Sequence, residues 1–162
     1  MANNLCIRTY TPNDETALIG LVRGLIAFEG QWYDRVRPPA EIGPWYVADL
    51  LDNCAKDQGT ILLAERDGEV VGYAVIYVGL STAGERDEIE HRYGRIGDLF
   101  VEERHRGSGI GRALIAECEA RTRAAGVPYL TIRHVPQNER SAALYARLGY
   151  EPVQTVREKR LD

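Results

Sequence analysis

The chain has few cysteines and no long apolar run. Its 162 residues include only Cys6, Cys54 and Cys118. These are far apart and outside any Cys/His spacing typical of zinc, which argues against a disulfide framework and against a metal site. No apolar stretch approaches the ~20 residues of a membrane-spanning helix. The N-terminal stretch MANNLCIRTY lacks the basic start and apolar centre of a signal peptide, so we expect a cytoplasmic protein that contacts no membrane.

The sequence also lacks an excess of basic residues. Lys and Arg number 20 against 24 Asp and Glu, which gives a net charge of -4. A general nucleic-acid-binding protein needs a dominant basic surface, so the composition excludes that class. Any anion must therefore be bound by a local group of residues. The length is typical of one domain, and we expect residues 1–162 to form a single domain.

Apolar periodicity predicts an order that mixes strands and helices. Thr11-Pro12-Asn13-Asp14 is typical of a helix start, with a capping hydroxyl and a proline in the first turn. Asp67-Gly68, between two β-branched runs, predicts a tight hairpin turn. In chain order, the predicted elements are strand 5–10, helix 11–28, helix 41–56, strands 60–66 and 69–78, strand 93–101, helix 108–125, strand 128–135, helix 138–148 and strand 150–156. We therefore expect an α/β (α+β) fold of three layers, with helices on a mixed, largely antiparallel sheet.

The segment RHRGSGIGRAL, residues 104–114, places three glycines in five positions at a predicted strand-to-helix junction. It is not a P-loop, because no Lys-Ser/Thr follows, and the every-second-residue spacing differs from a dinucleotide fingerprint. The remaining pattern, Arg106-x-x-Gly109-x-Gly111, lets successive backbone N–H groups converge on a pyrophosphate at the positive end of a helix. Arg106 and Arg112 add local positive charge. A tight turn without a ligand is the alternative.

A second motif lies downstream of the next predicted strand. It reads Asn138-x-x-Ser141-x-x-Leu144-Tyr145-x-x-Leu148-Gly149-Tyr150. Together the two motifs closely resemble the GNAT superfamily of N-acetyltransferases. In that family the cofactor loop reads Arg/Gln-x-x-Gly-x-Gly/Ala, and the next helix carries an Asn…Tyr-x-x-x-Gly-Phe/Tyr signature. The resemblance covers about residues 60–155, and the N-terminal elements fit the family's order more loosely.

The resemblance implies acetyl-coenzyme A as the cofactor and assigns residues to it. The pantetheine arm would be bonded by the backbone of Leu99, Phe100 and Val101, and the Val101 N–H would polarise the acetyl carbonyl. Asn138 and Ser141, from the second motif, would bind the cofactor arm. The pyrophosphate would be held by the glycine-rich loop: Arg106, Gly107, Ser108, Gly109, Ile110, Gly111 and Arg112.

In the same resemblance Tyr145 would act as the general acid near the sulfur. A phenol with a pKa of about 10 can protonate a departing thiolate, whose reference pKa is about 8.5. Core packing on an amphipathic helix is the alternative for Tyr145. Arg147, in the same helix, is a further candidate for a cofactor phosphate, with a solvated surface position as its alternative.

The acceptor would be a primary amine, which is protonated at neutral pH and must lose a proton before it attacks a thioester. Asp98 is the candidate general base. Some polyamine-acetylating relatives carry glutamate one position earlier, where this chain has Gly97. Asp98 could instead pair with an arginine. The other candidates are a water chain, Glu29 and an acidic run formed by Glu85, Asp87, Glu88 and Glu90.

Acceptor choice is expected to come from the loop EGQWYDRVRPP, residues 29–39. Glu29, Trp32 and Tyr33 are the candidate substrate-binding residues, although the two aromatics could simply pack a helix onto the sheet. Arg35 and Arg37 would suit an acceptor that carries a carboxylate. A polyamine, an amino acid, an aminoglycoside-like compound and a protein amine therefore stay open.

Three classes of function remain at this point. Small-molecule N-acetylation ranks first, because the chain carries no obvious partner-docking extension. A protein acetyltransferase and a non-catalytic acyl-coenzyme A sensor are the alternatives. A homodimer, common in the family that the chain resembles, could form through the predicted last strand near residues 153–156.

Overall fold

The computed structural model describes residues 4–161 and shows a five-stranded sheet with helices on both faces. Short 3-10 turns at Pro12–Asp14, Pro39–Glu41 and Glu103–His105 precede the helices α1, α2 and α3. The strands are β1 (Leu5–Thr9), β2 (Gly59–Arg66), β3 (Glu69–Ser81), β4 (Arg92–Val101) and β5 (Tyr129–Ile132). The helices are α1 (Glu15–Glu29), α2 (Pro44–Lys56), α3 (Ile110–Ala124) and α4 (Glu139–Arg147).

The sheet has the strand order β1-β2-β3-β4-β5, so neighbours in the chain are neighbours in space. The first three pairings are antiparallel, and β4 and β5 are parallel because α3 crosses between them. The β2–β3 turn is formed by Asp67 (φ 53°) and Gly68 (φ 84°). Two consecutive positive φ angles are what a primed hairpin turn requires, and the predicted hairpin is confirmed.

The core lies on both faces of the sheet. On one face α1 and α2 pack against inward residues of β3, as Leu18, Val22 and Tyr73 illustrate. On the other face Ile110 and Leu114 of α3, with α4, cover the opposite side of the same strands. The alternation of side chains along β2 and β3 supplies both cores. The predicted three-layer fold with a largely antiparallel sheet is confirmed.

The pairing between β4 and β5 covers only the first half of β4. It runs from Tyr93 opposite Tyr129 to Ile96 opposite Ile132. Beyond that point β4 continues to Val101 without β5 beside it. The two parallel strands therefore separate, and the backbone of the last five residues of β4 (97–101) has one edge that β5 does not cover.

A β-bulge lies at the same point of β4. Val75 pairs with Asp98 and Ile76 pairs with Ile96, so Gly97 is the extra residue. A side chain at Gly97 would place its Cβ 2.8 Å from Cε2 of Tyr77. A glutamate at this position would therefore require the Tyr77 ring to move. The bulge turns the next residue, Asp98, toward Tyr46 of α2 and Tyr73 of β3.

The predicted last strand over 150–156 is wrong. After α4 the described residues 150–161 form no regular element and are largely exposed, including Val153 and Val156. A strand needs a neighbour for its backbone groups, and this segment pairs with no strand of the described chain. The proposed dimer edge therefore has no strand behind it, and the homodimer stays a prediction. Other boundaries also shift: α1 and α2 begin later than predicted, at Glu15 and Pro44, β3 extends to Ser81, and β5 is shorter than predicted.

Within residues 4–161, no helix is long and apolar enough to cross a bilayer. The same residues contain no group of three or more His, Cys, Asp and Glu side chains that could hold a metal ion. Cys6 is exposed, Cys54 is half-buried and Cys118 is buried, and all three are free thiols. The cysteine side chains therefore form neither a cross-link nor a metal site among these residues.

Candidate active site

A cavity of about 550 Å³ opens where β4 and β5 separate. Its walls are the last turn of α1, the second half of β4, the start of α3 and one side of α4. The predicted site residues that line it are Glu29, Asp98, Leu99, Phe100, Val101, Arg106, Gly107, Gly109, Ile110, Gly111, Arg112, Asn138, Ser141 and Tyr145. The two sequence motifs therefore meet in one place.

One end of the cavity is formed by the glycine-rich loop and the N-terminus of α3. Gly107 (φ 81°) and Gly109 (φ 88°) adopt left-handed backbone angles that favour glycine, and Gly109 caps the helix. The first N–H groups of a helix have no acceptor within it, and the helix dipole makes this end positive. The first turn of α3 carries no acidic residue. The first turn of α3 thus presents backbone donors that have no acceptor within the helix, with no acidic side chain in that turn.

Ser108 and Arg106 are placed differently from the other loop residues. Ser108 does not line the cavity: its hydroxyl donates to the carbonyl oxygen of His105 at 2.6 Å and accepts from Arg66 at 3.0 Å. Arg106 donates from Nε to the carbonyl oxygen of Val101 at 2.9 Å. Its guanidinium lies 4.4 Å from the ring centre of Phe28, and burial lowers the pKa of Arg106.

Positive charge at this end comes mainly from other arginines. The cavity is lined by Arg112 of α3, Arg133 beyond β5, and Arg140 and Arg147 of α4. A Cβ on Gly107 would lie 3.7 Å from Nη2 of Arg140, so α4 reaches the glycine-rich loop. Neither Arg133 nor Arg140 was predicted from the sequence, although Arg140 lies within the second motif, two residues after Asn138.

Helix α4 places its motif residues along the cavity wall. Asn138 is the N-cap, and its Oδ1 accepts from the backbone N–H of Ser141 at 3.1 Å. This leaves the Asn138 amide nitrogen for another partner. Tyr145 is 8% exposed, and burial raises its pKa while a hydrogen bond with the Ser141 side chain acts in the opposite direction. The Tyr145 hydroxyl is therefore protonated at neutral pH.

The other end of the cavity contains Asp98. Tyr73 donates its hydroxyl to Oδ2 of Asp98 at 3.0 Å, and Tyr46 donates to the same oxygen at 3.4 Å. Burial raises the pKa of Asp98, and the two hydrogen bonds act against that rise. No arginine pairs with Asp98 among the described residues. The alternative that Asp98 serves an ion pair is therefore wrong.

Glu29 lies beside this end at the last residue of α1. Burial raises the pKa of the Glu29 carboxyl, and the negative charge of Asp98 raises it further. The sequence analysis named both carboxylates but missed Tyr46 and Tyr73. Each comes from a separate element, α2 and β3, and only the fold brings them to Asp98.

Trp32 and Tyr33 do not line the cavity. Trp32 packs edge-on against Phe28, with ring centres 4.9 Å apart, and Tyr33 is 42% exposed beneath the guanidinium of Arg35. Trp32 therefore contacts Phe28, a residue of the cavity wall, and neither aromatic is shown to pack a helix onto the sheet. The acidic run at 85–90 is exposed and also contributes nothing to the lining.

Comparison with known proteins agrees with this geometry. The model of the acetyltransferase (GNAT) family matches residues 13–150. An IAA acetyltransferase of Azospirillum brasilense is 30% identical over 147 residues, which cover 91% of this chain and 84% of that protein. An aminoglycoside N(6')-acetyltransferase type 1 of Stenotrophomonas maltophilia is 28% identical over 160 residues, with 93% and 88% covered.

Solved structures share the fold. A mutant of the BH1408 protein from Bacillus halodurans superposes with a TM-score of 0.84 at 22% identity, covering 96% of this chain and 99% of that chain. AAC(6')-Iy in complex with the bisubstrate analog CoA-S-monomethyl-acetylneamine has a TM-score of 0.74 at 20% identity, covering 98% and 99%. The family match spans both motifs and the strands that hold them. The chain belongs to the GNAT acetyltransferase family and is an N-acetyltransferase.

Proposed function

We propose that this protein transfers an acetyl group from acetyl-coenzyme A to a primary amine of a small molecule, by direct attack of the amine on the thioester. The observation that carries the proposal is the division of charge in one cavity. Arg112, Arg140 and the N-terminus of α3 lie at one end, whereas Asp98 and Glu29 lie at the other. The first end suits phosphates and the second suits an ammonium group.

The residues at the basic end fit the pyrophosphate of coenzyme A. Gly107 and Gly109 bring bare backbone to the surface, and no atom lies within 4 Å of a Cβ built on Gly109, so the space in front of it is open. Backbone N–H groups at a helix N-terminus bind phosphate oxygens well. His105 also lines the cavity, and its buried Nε2, 3.9 Å from Oε2 of Glu102, has no hydrogen-bond partner among the described residues. The site therefore has donors to offer an anion.

The uncovered edge of β4 fits an amide-containing arm. The backbone of Leu99 and Val101 lies along the part of β4 where β5 has separated. The amide nitrogen of Asn138 faces the same cavity from α4. When bound, acetyl-coenzyme A supplies an acetyl thioester whose C–S bond breaks as the C–N bond forms. The Val101 N–H would polarise the acetyl carbonyl oxygen, as a fixed donor does most effectively.

Asp98 takes the proton from the acceptor ammonium. Both tyrosine hydroxyls bond Oδ2, which leaves Oδ1 for the incoming group. The raised pKa of Asp98 makes its carboxylate a better base than an exposed aspartate. Tyr46 and Tyr73 orient the carboxyl, and their hydrogen bonds favour its charged form.

Tyr145 donates a proton to the departing thiolate of coenzyme A. Its hydroxyl is protonated at neutral pH because burial raises its pKa. It shares the cavity with Val101 and Asn138, which would hold the arm that ends in the sulfur. A phenol at this position can donate to a departing thiolate, whose own reference pKa is about 8.5.

A small acceptor is supported by the cavity and by the relatives. The volume of about 550 Å³ matches sites for small ligands. The aminoglycoside enzyme is named for a small amine-containing substrate, and the AAC(6')-Iy complex holds an analog that joins coenzyme A to such a compound.

Calorimetric titration with acetyl-coenzyme A, with dephosphorylated and adenine-free analogues as controls, tests the first half of the proposal. We expect affinity to fall as phosphates are removed. Thiol release with a panel of small amines and lysine peptides then tests the second half. Absence of binding contradicts the proposal, and release with peptides alone makes the protein a protein acetyltransferase.

A further inference from the structure

The Glu29 carboxylate is a group that the proposed reaction leaves without a task. It lies at the end of α1, lines the cavity and is half-buried. Among residues 4–161, no hydrogen bond and no positive charge acts on its carboxyl: burial and the charge of Asp98 are the influences on it, and both oppose ionisation. A half-buried carboxylate without a partner is costly, so a chain that keeps one in its active site has a use for it.

The basic side chains of the cavity do not serve Glu29. Arg112, Arg133, Arg140 and Arg147 line the cavity from α3, α4 and the segment after β5, and none of them acts on the Glu29 carboxyl. Arg106, which contacts Phe28 at the end of α1, bonds the carbonyl oxygen of Val101 and lies over the rings of Phe28 and Phe100, 4.4 and 5.4 Å from its guanidinium. Within the part of the chain that the structure describes, the acceptor end therefore carries Glu29 and Asp98 and no cation that pairs with either of them.

One positive charge is accounted for by the reacting amine at Asp98. A monoamine would leave the second carboxylate unpaired after binding, and an amino acid would bring a third carboxylate into the same space. Like charges in a partly buried site repel strongly. An acceptor with a second ammonium group satisfies both carboxylates at once.

Resting on the proposed function, we propose that the acceptor is a small amine with at least two cationic amino groups, and that Glu29 binds the group that does not react. The class includes linear diamines, longer oligoamines and amino sugars. The aromatic side chains of Phe28 and Tyr46, which also line the cavity, suit the methylene segment between two such amino groups. Glu29 is therefore a specificity-determining residue.

The test compares three probes of similar length: diaminobutane with its amines at the two ends, the monoamine aminopentane, and aminobutyrate. We expect kcat/KM for the diamine to exceed that for the monoamine by at least about 10-fold, as one charge-assisted hydrogen bond predicts, and aminobutyrate to be the poorest of the three. Calorimetric binding of the diamine to the protein saturated with coenzyme A provides a readout without turnover.

The variant Glu29→Gln keeps the shape of the side chain and removes its charge. We expect it to lower kcat/KM for the diamine about 10-fold while the value for aminopentane changes less than about 2-fold. Glu41→Gln is the matched control, because Glu41 is an exposed glutamate near the start of α2 that does not line the cavity. It should leave all three values unchanged.

The outcomes separate this inference from the proposed function. Equal rates with the three probes, or a preference for aminobutyrate, overturn the role of Glu29 and leave acetyl transfer to small amines intact. A diamine preference that survives Glu29→Gln also overturns it. Failure to bind acetyl-coenzyme A, with no thiol release for any probe, overturns the proposed function itself.

Discussion

Arg106 fastens the end of β4 through its side chain, with Nε 2.9 Å from the carbonyl oxygen of Val101. The same guanidinium covers the ring of Phe28 at the end of α1. A motif arginine that was expected to supply charge to a phosphate thus joins the strand of the cofactor edge to the helix that carries Glu29. Its backbone remains part of the glycine-rich loop.

Arg106→Gln is expected to reduce the free energy of unfolding by about 2 kcal/mol, because a charge-assisted hydrogen bond and two cation–π contacts are lost. Arg106→Lys should be nearly as unstable, since an ammonium cannot stack as a planar guanidinium does. Thermal and urea unfolding measure both. Arg112→Gln is the comparison: it should weaken acetyl-coenzyme A binding in calorimetry without a similar loss of stability. Equal stability of wild type and Arg106→Gln would show that the Arg106 side chain does not stabilise the junction of β4 and α1.

Gly109→Asp is expected to weaken binding of acetyl-coenzyme A by at least about 10-fold, because it puts a carboxylate at the positive end of α3 where the phosphates would bind. Gly126→Asp is a close control, since Gly126 follows the same helix at its other end. Both glycines have positive φ, 88° and 67°, and open space around a built Cβ. Calorimetry should therefore show a loss of affinity in the first variant alone, although both lose stability.

Tyr145→Phe is expected to lower turnover at saturating cofactor by about 10²-fold, in the lower range of general acid catalysis, with little change in cofactor affinity. Single-turnover thiol release measures the effect. Tyr150→Phe is the control, because the Tyr150 hydroxyl donates to Glu119 of α3 at 3.3 Å and Tyr150 does not line the cavity. Unchanged turnover in Tyr145→Phe would remove the phenol from the mechanism.

The acid limb of the pH–rate profile is expected to follow Asp98. The carboxylate is the active form, so kcat/KM falls as pH drops through the raised pKa of Asp98, and it falls at a higher pH than an exposed aspartate with a pKa of about 3.9 would give. Tyr73→Phe removes a hydrogen bond that lowers this pKa. The limb should move to still higher pH in that variant. If the acid limb lies at the same pH in Tyr73→Phe and in wild type, a group other than Asp98 is the base.

The same raised pKa has an effect on stability. Because the fold favours the protonated form of Asp98, its contribution to stability is fully present below the pKa of the unfolded state and is lost as pH rises through the folded-state pKa. Asp98→Asn removes the buried charge and is expected to unfold at a higher temperature than wild type at neutral pH. The difference should shrink on acidification toward pH ~4. Thermal unfolding across this pH range measures it.

Local signals explain which parts of the fold could be predicted. The turn at Asp67-Gly68 and the cap at Gly109 need positive φ angles that few residues adopt. The residue types at these positions therefore indicate the backbone conformation from the sequence alone. The strand expected at 150–156 failed because alternation alone does not provide a neighbouring strand. Apolar periodicity is a property of one segment, whereas a strand in a sheet needs a second strand with which to pair.

The sequence predicted the site residues that lie together in one motif, and it did not predict those that the fold brings together from separate elements. The glycine-rich loop and α4 each carry their residues within one motif, and the structure brings both to the cavity. The partners of Asp98, Tyr73 of β3 and Tyr46 of α2, lie 25 and 52 positions away in the sequence, so no local pattern points to either of them. The contacts of the Arg106 side chain with Val101 and Phe28 also depend on residues that only the fold brings close to it.

Because the β4–β5 pairing ends at Ile96 and Ile132, the second half of β4 has no partner strand on one edge within residues 4–161. Any molecule that completes the edge adds its binding free energy to that of folding, by about 2.7 kcal/mol when its concentration is a hundred times its dissociation constant. If that molecule carries the coenzyme A moiety, limited proteolysis of the folded protein should slow as its concentration rises, before any acceptor is bound.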